Sequence, residues 1–220
     1  MQRTFAGEFW KAKWSLLNGF LTTIELSLIV IAIGLVAGVI GGLLLVYGPR
    51  PVRWLMRAYV DILRGIPILV LILFSYYGLA LLGIDISAFT AGVVALAGFC
   101  SAHMSETFRG AIDSIPVGQN EAAKAIGLTF WQRFFYVVLP QAARRIAPPA
   151  INTAVEMVKG TTLLSIIGVS ELLLATQQTI ARNYMVIEFY ASALAFYFIF
   201  NFTLSRIGAY FERRFGFIRY

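Results

Sequence analysis

A stretch of 22 residues without a charged side chain, Leu26–Tyr47, constrains the fold of this chain more than any other feature. About 20 apolar residues in a helix cross the hydrocarbon core of a bilayer. The chain of 220 residues is 59% hydrophobic and 13% charged, whereas soluble domains carry roughly 25% charged residues. A soluble fold of this size cannot bury so much apolar surface. The sequence therefore predicts an all-α membrane protein.

Four further stretches have about the length of a membrane span. The fourth span along the chain contains Glu156 and Lys159, and charges inside a span are typical of functional sites. Together with Leu26–Tyr47, the four further stretches predict five spanning helices in a single domain, 1–220. The four stretches are Gly65–Gly83, Ile86–Ser105, Ile146–Ser170 and Phe189–Ser205.

Lysine and arginine are concentrated after the first, third and fifth predicted spans, and cytoplasmic loops carry an excess of these residues. This bias predicts an amino terminus outside the cell and a carboxyl terminus in the cytoplasm. It also explains the net charge of +7 better than nucleic-acid binding does. Three basic residues before the first span, Arg3, Lys11 and Lys13, argue against this orientation. We assign them to a short interfacial helix anchored by Phe9, Trp10 and Trp14. The supporting residues are Arg50, Arg53, Arg57, Arg109, Lys124, Arg133, Arg144, Arg145, Arg206, Arg213, Arg214 and Arg219.

Three glycines in the first predicted span, Gly34, Gly38 and Gly42, recur every four residues. A strip of this kind lets a second helix approach closely, because no side chain holds the two backbones apart. The alternative is that these glycines are merely tolerated, since glycine is common in membrane helices.

A polar segment interrupts the apolar pattern at about 113–140. Asn120 predicts the N-cap of a short helix that starts at Glu121, and Gly127 predicts its left-handed C-terminal residue. Thr129 with Gln132 predicts a capping box for a second helix, which Pro140 ends or kinks. From the pattern alone, this helix pair either contacts a cytoplasmic partner or lies on the lipid surface as an amphipathic connector.

The residues of this segment carry a specific resemblance. Glu121-Ala122-Ala123 with Gly127, followed by Val138-Leu139-Pro140, resembles the EAA loop of ATP-binding-cassette (ABC) importer permeases. The stretch 106–119, Arg64-Gly65-Ile66-Pro67, and Lys159 with Thr161, Thr162 and Leu163 resemble the polar amino-acid subfamily. The similarity extends from about Gly19 to Arg206.

This resemblance implies a type I importer permease with five spanning helices and cytoplasmic coupling helices in the bacterial inner membrane. It implies two copies of an ABC ATPase, a second permease subunit, a periplasmic or surface amino-acid-binding protein, and surrounding lipid as partners. ATP and Mg²⁺ are expected on the ATPase and no cofactor on this chain, which has no Walker A pattern and is expected to be no enzyme. The residues expected to couple to the ATPase are Glu121, Ala122, Ala123, Gly127, Leu139 and Pro140.

Three other functions remain open at this point. The first is a secondary transporter driven by an ion gradient, although no internal repeat is visible in the chain. The second is an ABC importer permease for another small solute, such as an opine. The third is a membrane scaffold or receptor subunit without a pathway.

The fourth predicted span provides candidate pathway residues. Asn152, Glu156 and Lys159 share one helical face, and we include Thr153, although many members of the family have an acidic residue there. Glu156 is a candidate for binding the substrate's ammonium or a cationic side chain, and Lys159 for binding its carboxylate. Alternatively, Glu156 and Lys159 only neutralise each other. Pro148 and Pro149 are expected to break or bend this span.

Other polar residues of the spans are assigned structural roles. Glu106 with Arg109, and Asp61 with Arg64, predict ion pairs three residues apart. His103 is expected to be a packing residue, and no residue cluster suggests a metal site or a catalytic nucleophile.

Overall fold

A computed structural model of the chain describes residues 4–215, with side chains as far as Tyr210. The predicted all-α fold is confirmed, since the described residues form helices and no strand. Arg3 and Arg219, both used in the orientation argument, lie outside the described residues. In chain order the helices are α1 (Phe5–Tyr47), α2 (Arg50–Gly65), α3 (Ile68–Leu81), α4 (Ala88–Asp113), α5 (Val117–Ala125), α6 (Phe130–Ile167), α7 (Leu172–Asn183) and α8 (Val186–Phe215).

Helix α1 is continuous over 43 residues. The prediction of a separate interfacial helix at Phe9–Trp14 is therefore wrong: those residues form the first turns of the helix that contains Leu26–Tyr47. No proline interrupts the segment, and Lys11 Nζ forms an ion pair with Glu8 at 2.8 Å. At about 1.5 Å per residue α1 is roughly 65 Å long, about twice the thickness of a bilayer core.

Three helices, α1, α4 and α8, are each long and apolar enough to cross a membrane. The number rises to five when two helix pairs with a short break, α2 with α3 and α6 with α7, each count as one span. Helix α3 is shorter than the predicted span Gly65–Gly83 because Pro67 is its N-cap residue. A proline disfavours helical geometry in the residue before it, and here the helix is broken at Ile66.

The prolines of α6 lie inside the helix, so an end at Pro140 and a break at Pro148 and Pro149 are excluded, whereas a kink or bend there stays a prediction. A wide π-helical turn, Phe134–Val138, directly precedes Pro140, and the amide of Leu139 donates to the carbonyl of Phe134. Pro140 lacks an N–H and crowds the carbonyl four residues earlier, and a π-bulge accommodates such a mismatch without ending the helix. The helix also continues through Pro148 and Pro149. It ends instead at Gly168, whose φ of +86° is left-handed.

The contacts within the chain define two compact units, each built from discontinuous segments. One comprises Met1–Ala32, Ile66–Gly98 and Ala154–Leu204, and the other comprises Ile33–Gly65, Phe99–Thr153 and Ser205–Tyr220. The first unit has an apolar core that includes Leu16, Leu172 and Phe189.

In the second unit the glycine strip of α1 packs against α4, as predicted. A Cβ atom built at Gly34 would overlap the side chain of Cys100, one at Gly38 that of Met104, and one at Gly42 that of Phe108. The three glycines thus allow α4 to lie closer to α1 than any other residue type would permit.

Replacing Gly38 by leucine is therefore expected to lower the thermal stability of the detergent-solubilised chain, because overpacking costs about 1–3 kcal/mol or more. The matched control is Gly110→Leu on α4, where a Cβ atom meets nothing within 4 Å. Thermal unfolding followed by size-exclusion chromatography measures both. Equal midpoints for the two variants would contradict the close-packing role of Gly38.

Candidate functional site

Helix α5 begins earlier in the 113–140 segment than the sequence predicts. Its N-cap is Pro116, with φ −54° and ψ 131°, and no side chain caps it. The prediction of Asn120 as N-cap is therefore wrong, and Glu121 lies in the second turn. Because Val117, Gly118 and Gln119 can all adopt helical angles, the helix extends back to the proline, whose ring restricts the geometry of the residue before it.

The turn after α5 confirms two local predictions. Gly127 has a φ of +81°, its amide donates to the Lys124 carbonyl at 2.9 Å, and the Leu128 amide donates to the Ala123 carbonyl at 3.1 Å. These are the two bonds of a Schellman motif. The capping box follows: the Thr129 amide donates to Gln132 Oε1 at 2.8 Å, and the Gln132 amide donates to Thr129 Oγ1 at 3.4 Å.

This helix pair packs against the end of α1 and against an apolar cluster. The Tyr47 ring at the end of α1 lies 5.3 Å from the Phe130 ring and 5.8 Å from the Phe134 ring. Leu139 packs against the apolar cluster to which Phe134 belongs, and Ala123 is buried at 4% exposure. The segment is therefore held in a fixed geometry. The cluster consists of Phe108, Ala111, Ile112, Ile115, Phe134, Val138, Ala142 and Ile146.

The outer surface of α5 is open. Glu121 and Ala122 are exposed, as is Pro140 on α6. The apolar side chains at the two ends of α5 are exposed as well, Val117 at 72% and Ile126 at 76%. Apolar side chains exposed on a rigid helix are typical of a surface that contacts another protein.

A cluster of ion pairs connects α2 to α4 in the second unit. Arg109 donates to both oxygens of Glu106, at 3.0 and 2.6 Å, which confirms the predicted pair. Arg57 of α2 donates to Glu106 at 3.1 Å. The other predicted pair is wrong, because Arg64 lies 3.9 Å from Glu106 and Asp61 lies 3.9 Å from Arg57. A pattern within one helix could not show that a second helix supplies the partner.

The four candidate pathway residues lie on α6. Asn152, Glu156 and Lys159 are exposed, whereas Thr153 is buried and its hydroxyl donates to the Pro149 carbonyl at 3.1 Å. Among residues 4–215, the ion pairs do not include Glu156 with Lys159. The described subunit thus presents three polar side chains of α6 without neutralising the two charged ones against each other.

Sequence reasoning missed Glu171, which is fully buried in the first unit. Its carboxylate caps α7 by accepting from the Leu173 and Leu174 amides, each at 2.9 Å, and the Tyr197 hydroxyl donates to it at 2.6 Å. Thr23 Oγ1 accepts from the adjacent Leu172 amide at 3.2 Å. Little in the sequence signalled this cap, because the preferred N-cap residues are Ser, Thr, Asp and Asn rather than Glu.

Within the described part of the chain, no group of three or more histidine, cysteine, aspartate or glutamate side chains is arranged to hold a metal ion. The His103 ring lies 4.2 Å from the Phe99 ring, and its Nδ1 lies 3.1 Å from the Phe99 carbonyl. Both contacts agree with the packing role predicted for His103.

The chain is similar to known membrane transport proteins. The model of the family described as "binding-protein-dependent transport system inner membrane component" matches residues 19–217. The glutamine transport system permease protein of Escherichia coli strain K12 is 36% identical over 211 residues, which cover 93% of this chain and 96% of that protein. The L-cystine transport system permease protein of Bacillus subtilis strain 168 is 35% identical over 203 residues, covering 91% of this chain and 87% of that protein. A crystal structure of an amino acid ABC transporter with histidines superposes with a TM-score of 0.90 at 33% identity, covering 97% of this chain and 100% of the other.

Proposed function

This chain belongs to the family of binding-protein-dependent transport system inner membrane components, and we propose that α5 couples it to an ATPase while α6 lines its solute pathway. The chain is a multi-pass inner-membrane permease subunit of an amino-acid ABC importer, not an enzyme. Importers of this family also contain ABC ATPase subunits and a permease partner. ATP and Mg²⁺ bind the ATPase in this proposal.

The observation that carries the coupling role is that a defined terminal turn and side-chain burial hold α5 in place. A helix of nine residues alone is marginally stable in water, but α5 ends in a Schellman turn and buries the side chain of Ala123. Glu121, Ala122, Ala123, Gly127, Leu139 and Pro140 form or support this surface. A rigid helix transmits displacement of a docked ATPase into α6, and so opens the pathway to one side at a time.

The pathway role is supported by the exposed polar residues of α6. A charged side chain at the centre of a bilayer costs about 2.5–3.5 kcal/mol on insertion scales. Glu156 and Lys159 are exposed on the subunit, so in the assembled importer they face a polar pathway or the partner permease rather than lipid. In this proposal Glu156 binds the substrate's ammonium or a cationic side chain and Lys159 its carboxylate. Asn152 lies on the same face, and Thr153 supports the backbone.

The proposed substrates are polar amino acids. The relatives with 36% and 35% identity are named for glutamine and for L-cystine, so similarity supports the class and not one amino acid. A periplasmic or surface binding protein delivers the solute in this proposal.

The proposed orientation has the amino terminus outside and the carboxyl terminus in the cytoplasm. It rests on the distribution of lysine and arginine given above. It places α5, with Lys124, on the cytoplasmic side, where a soluble ATPase can reach it.

The test is reconstitution of this chain with its permease partner, the ATPase and the binding protein into lipid vesicles. Uptake of labelled amino acids is expected to require ATP and the binding protein, and to persist when an ionophore collapses ion gradients. Uptake that persists without the ATPase but is lost with the gradient would instead identify a secondary transporter. Uptake by a complex that lacks this chain would identify a subunit without a pathway.

A further inference from the structure

A small cavity of about 90 Å³ lies within the second unit, between α5, the start of α6 and the end of α1. Its polar lining comes from Tyr47, Asn120, Lys124 and Arg133, and apolar side chains, including that of Phe130, form the rest of the wall. The proposed coupling function does not use this cavity.

The two cationic residues of the cavity, Arg133 and Lys124, lack a carboxylate partner among the described residues. Arg133 Nε is buried, and among the described residues it makes no hydrogen bond. Neither Arg133 nor Lys124 takes part in an ion pair formed by residues 4–215. The positive charge that Arg133 and Lys124 bring to the cavity is therefore not neutralised by an ion pair within the described residues.

The charge of the cavity specifies an anion. Its lining contains two cationic side chains and no carboxylate. Asp113 is close enough to influence Tyr47 electrostatically, but its carboxylate is held in an ion pair by Arg109. An arginine and a lysine that line the same cavity are typical of phosphate binding.

The surroundings of the cavity favour a lipid as the source of the phosphate. Next to Arg133 along α6, three aromatic side chains are exposed: Trp131 at 65%, Phe135 at 53% and Tyr136 at 76%. Tryptophan and tyrosine are enriched at the level of the lipid headgroups. Basic pockets on the cytoplasmic side of membrane proteins bind anionic headgroups, because the cytoplasmic leaflet carries anionic lipids.

We propose that the cavity formed by Tyr47, Asn120, Lys124 and Arg133 binds the headgroup phosphate of one anionic phospholipid of the cytoplasmic leaflet. The proposal rests on the orientation given under Proposed function. The bound lipid holds the turn between α5 and α6 at the membrane surface. When α5 is displaced, it therefore moves relative to a fixed point on the bilayer.

The test is native mass spectrometry of the purified complex that contains the full chain, titrated with phosphatidylglycerol, phosphatidylcholine or inorganic phosphate alone. The wild type is expected to retain phosphatidylglycerol in preference to phosphatidylcholine. Arg133→Gln is expected to bind it about tenfold more weakly, which corresponds to about 1.4 kcal/mol. The matched control is Arg144→Gln, an exposed arginine of α6 outside the cavity, which is expected to bind it as the wild type does. Lys124→Gln provides a second cavity variant if Arg133→Gln fails to fold.

Each other outcome overturns the proposal. Equal weakening by Arg133→Gln and Arg144→Gln would indicate diffuse charge attraction, and equal retention of the two lipids would exclude headgroup recognition. Binding of inorganic phosphate without a lipid preference would identify a free anion as the ligand. Loss of the ATPase from the Arg133→Gln complex with unchanged lipid retention would show that an acidic side chain of the ATPase fills the cavity. ATP-driven uptake by the wild type in phosphatidylcholine vesicles tests the proposed function separately.

Discussion

Replacing Gly127 by valine is expected to abolish amino-acid uptake while leaving the spanning helices inserted and the ATPase able to hydrolyse ATP. Gly127 adopts a φ of +81°, which a β-branched residue rarely tolerates. Forcing such a residue into this geometry costs on the order of 1–3 kcal/mol, and the Schellman bonds that orient α5 are lost if the turn relaxes. ATP hydrolysis then proceeds without movement of α6. Uptake into vesicles and phosphate release, measured on the same preparation, report the uncoupling.

The matched control for Gly127→Val is Gly83→Val. Gly83 has a φ of +79°, and at both glycines a Cβ atom would meet nothing within 4 Å, but Gly83 lies after α3 and outside the 113–140 segment. The same backbone strain is therefore introduced away from the proposed docking surface. Normal coupled uptake by Gly127→Val, or equal loss of uptake in both variants, would contradict a specific role of the α5 turn.

Replacing Glu156 by glutamine is expected to raise the KM for uptake by about tenfold or more, because hydrogen bonds to charged groups contribute roughly 1.5–3 kcal/mol. Glutamine keeps the size of the side chain and removes its charge, so insertion into the membrane becomes easier and assembly is retained. Transport kinetics in vesicles, combined with competition by other amino acids, measure both affinity and selectivity.

Glu188→Gln is the control for this prediction, because Glu188 is exposed in the first turn of α8 and belongs to no predicted pathway. Its KM is expected to match that of the wild type. An unchanged KM and selectivity of Glu156→Gln in an intact complex would remove Glu156 from the pathway. Loss of assembly in that variant would point to a structural role at a subunit contact instead.

Local signals in the sequence predicted local structure correctly around Gly127 and Thr129. A glycine that allows a positive φ and a threonine followed by glutamine three residues later act through backbone atoms only a few residues away. The same kind of reasoning failed at Asn120, because a good capping residue does not start a helix when the residues before it are also able to join. The helix began at the proline, where a stronger constraint acts.

Structural features that depend on packing between helices were predicted less well. Pro140, Pro148 and Pro149 each predict a break or a bend by local rules, and α6 continues through all three without a break. For Pro140 the π turn absorbs the misfit, and the surrounding apolar cluster holds this part of the helix in place. Glu106 illustrates the same limit, since its partner within α4 was predictable and Arg57 of α2 was not.

Composition and apolar run length alone determined that this chain is a helical membrane protein, because in lipid every backbone amide and carbonyl must be satisfied within the protein. The Glu121–Gly127 motif, together with the other motifs given under Sequence analysis, also pointed to its family. Only the tertiary structure decided which side chains are buried and which partners they have. It showed that Glu171 is buried, that no ion pair in the described residues joins Glu156 to Lys159, and that Arg133 Nε makes no hydrogen bond there. The burial of Glu171 and its bond to Tyr197 depend on segments far apart in the chain, and no pattern within a single helix contains them.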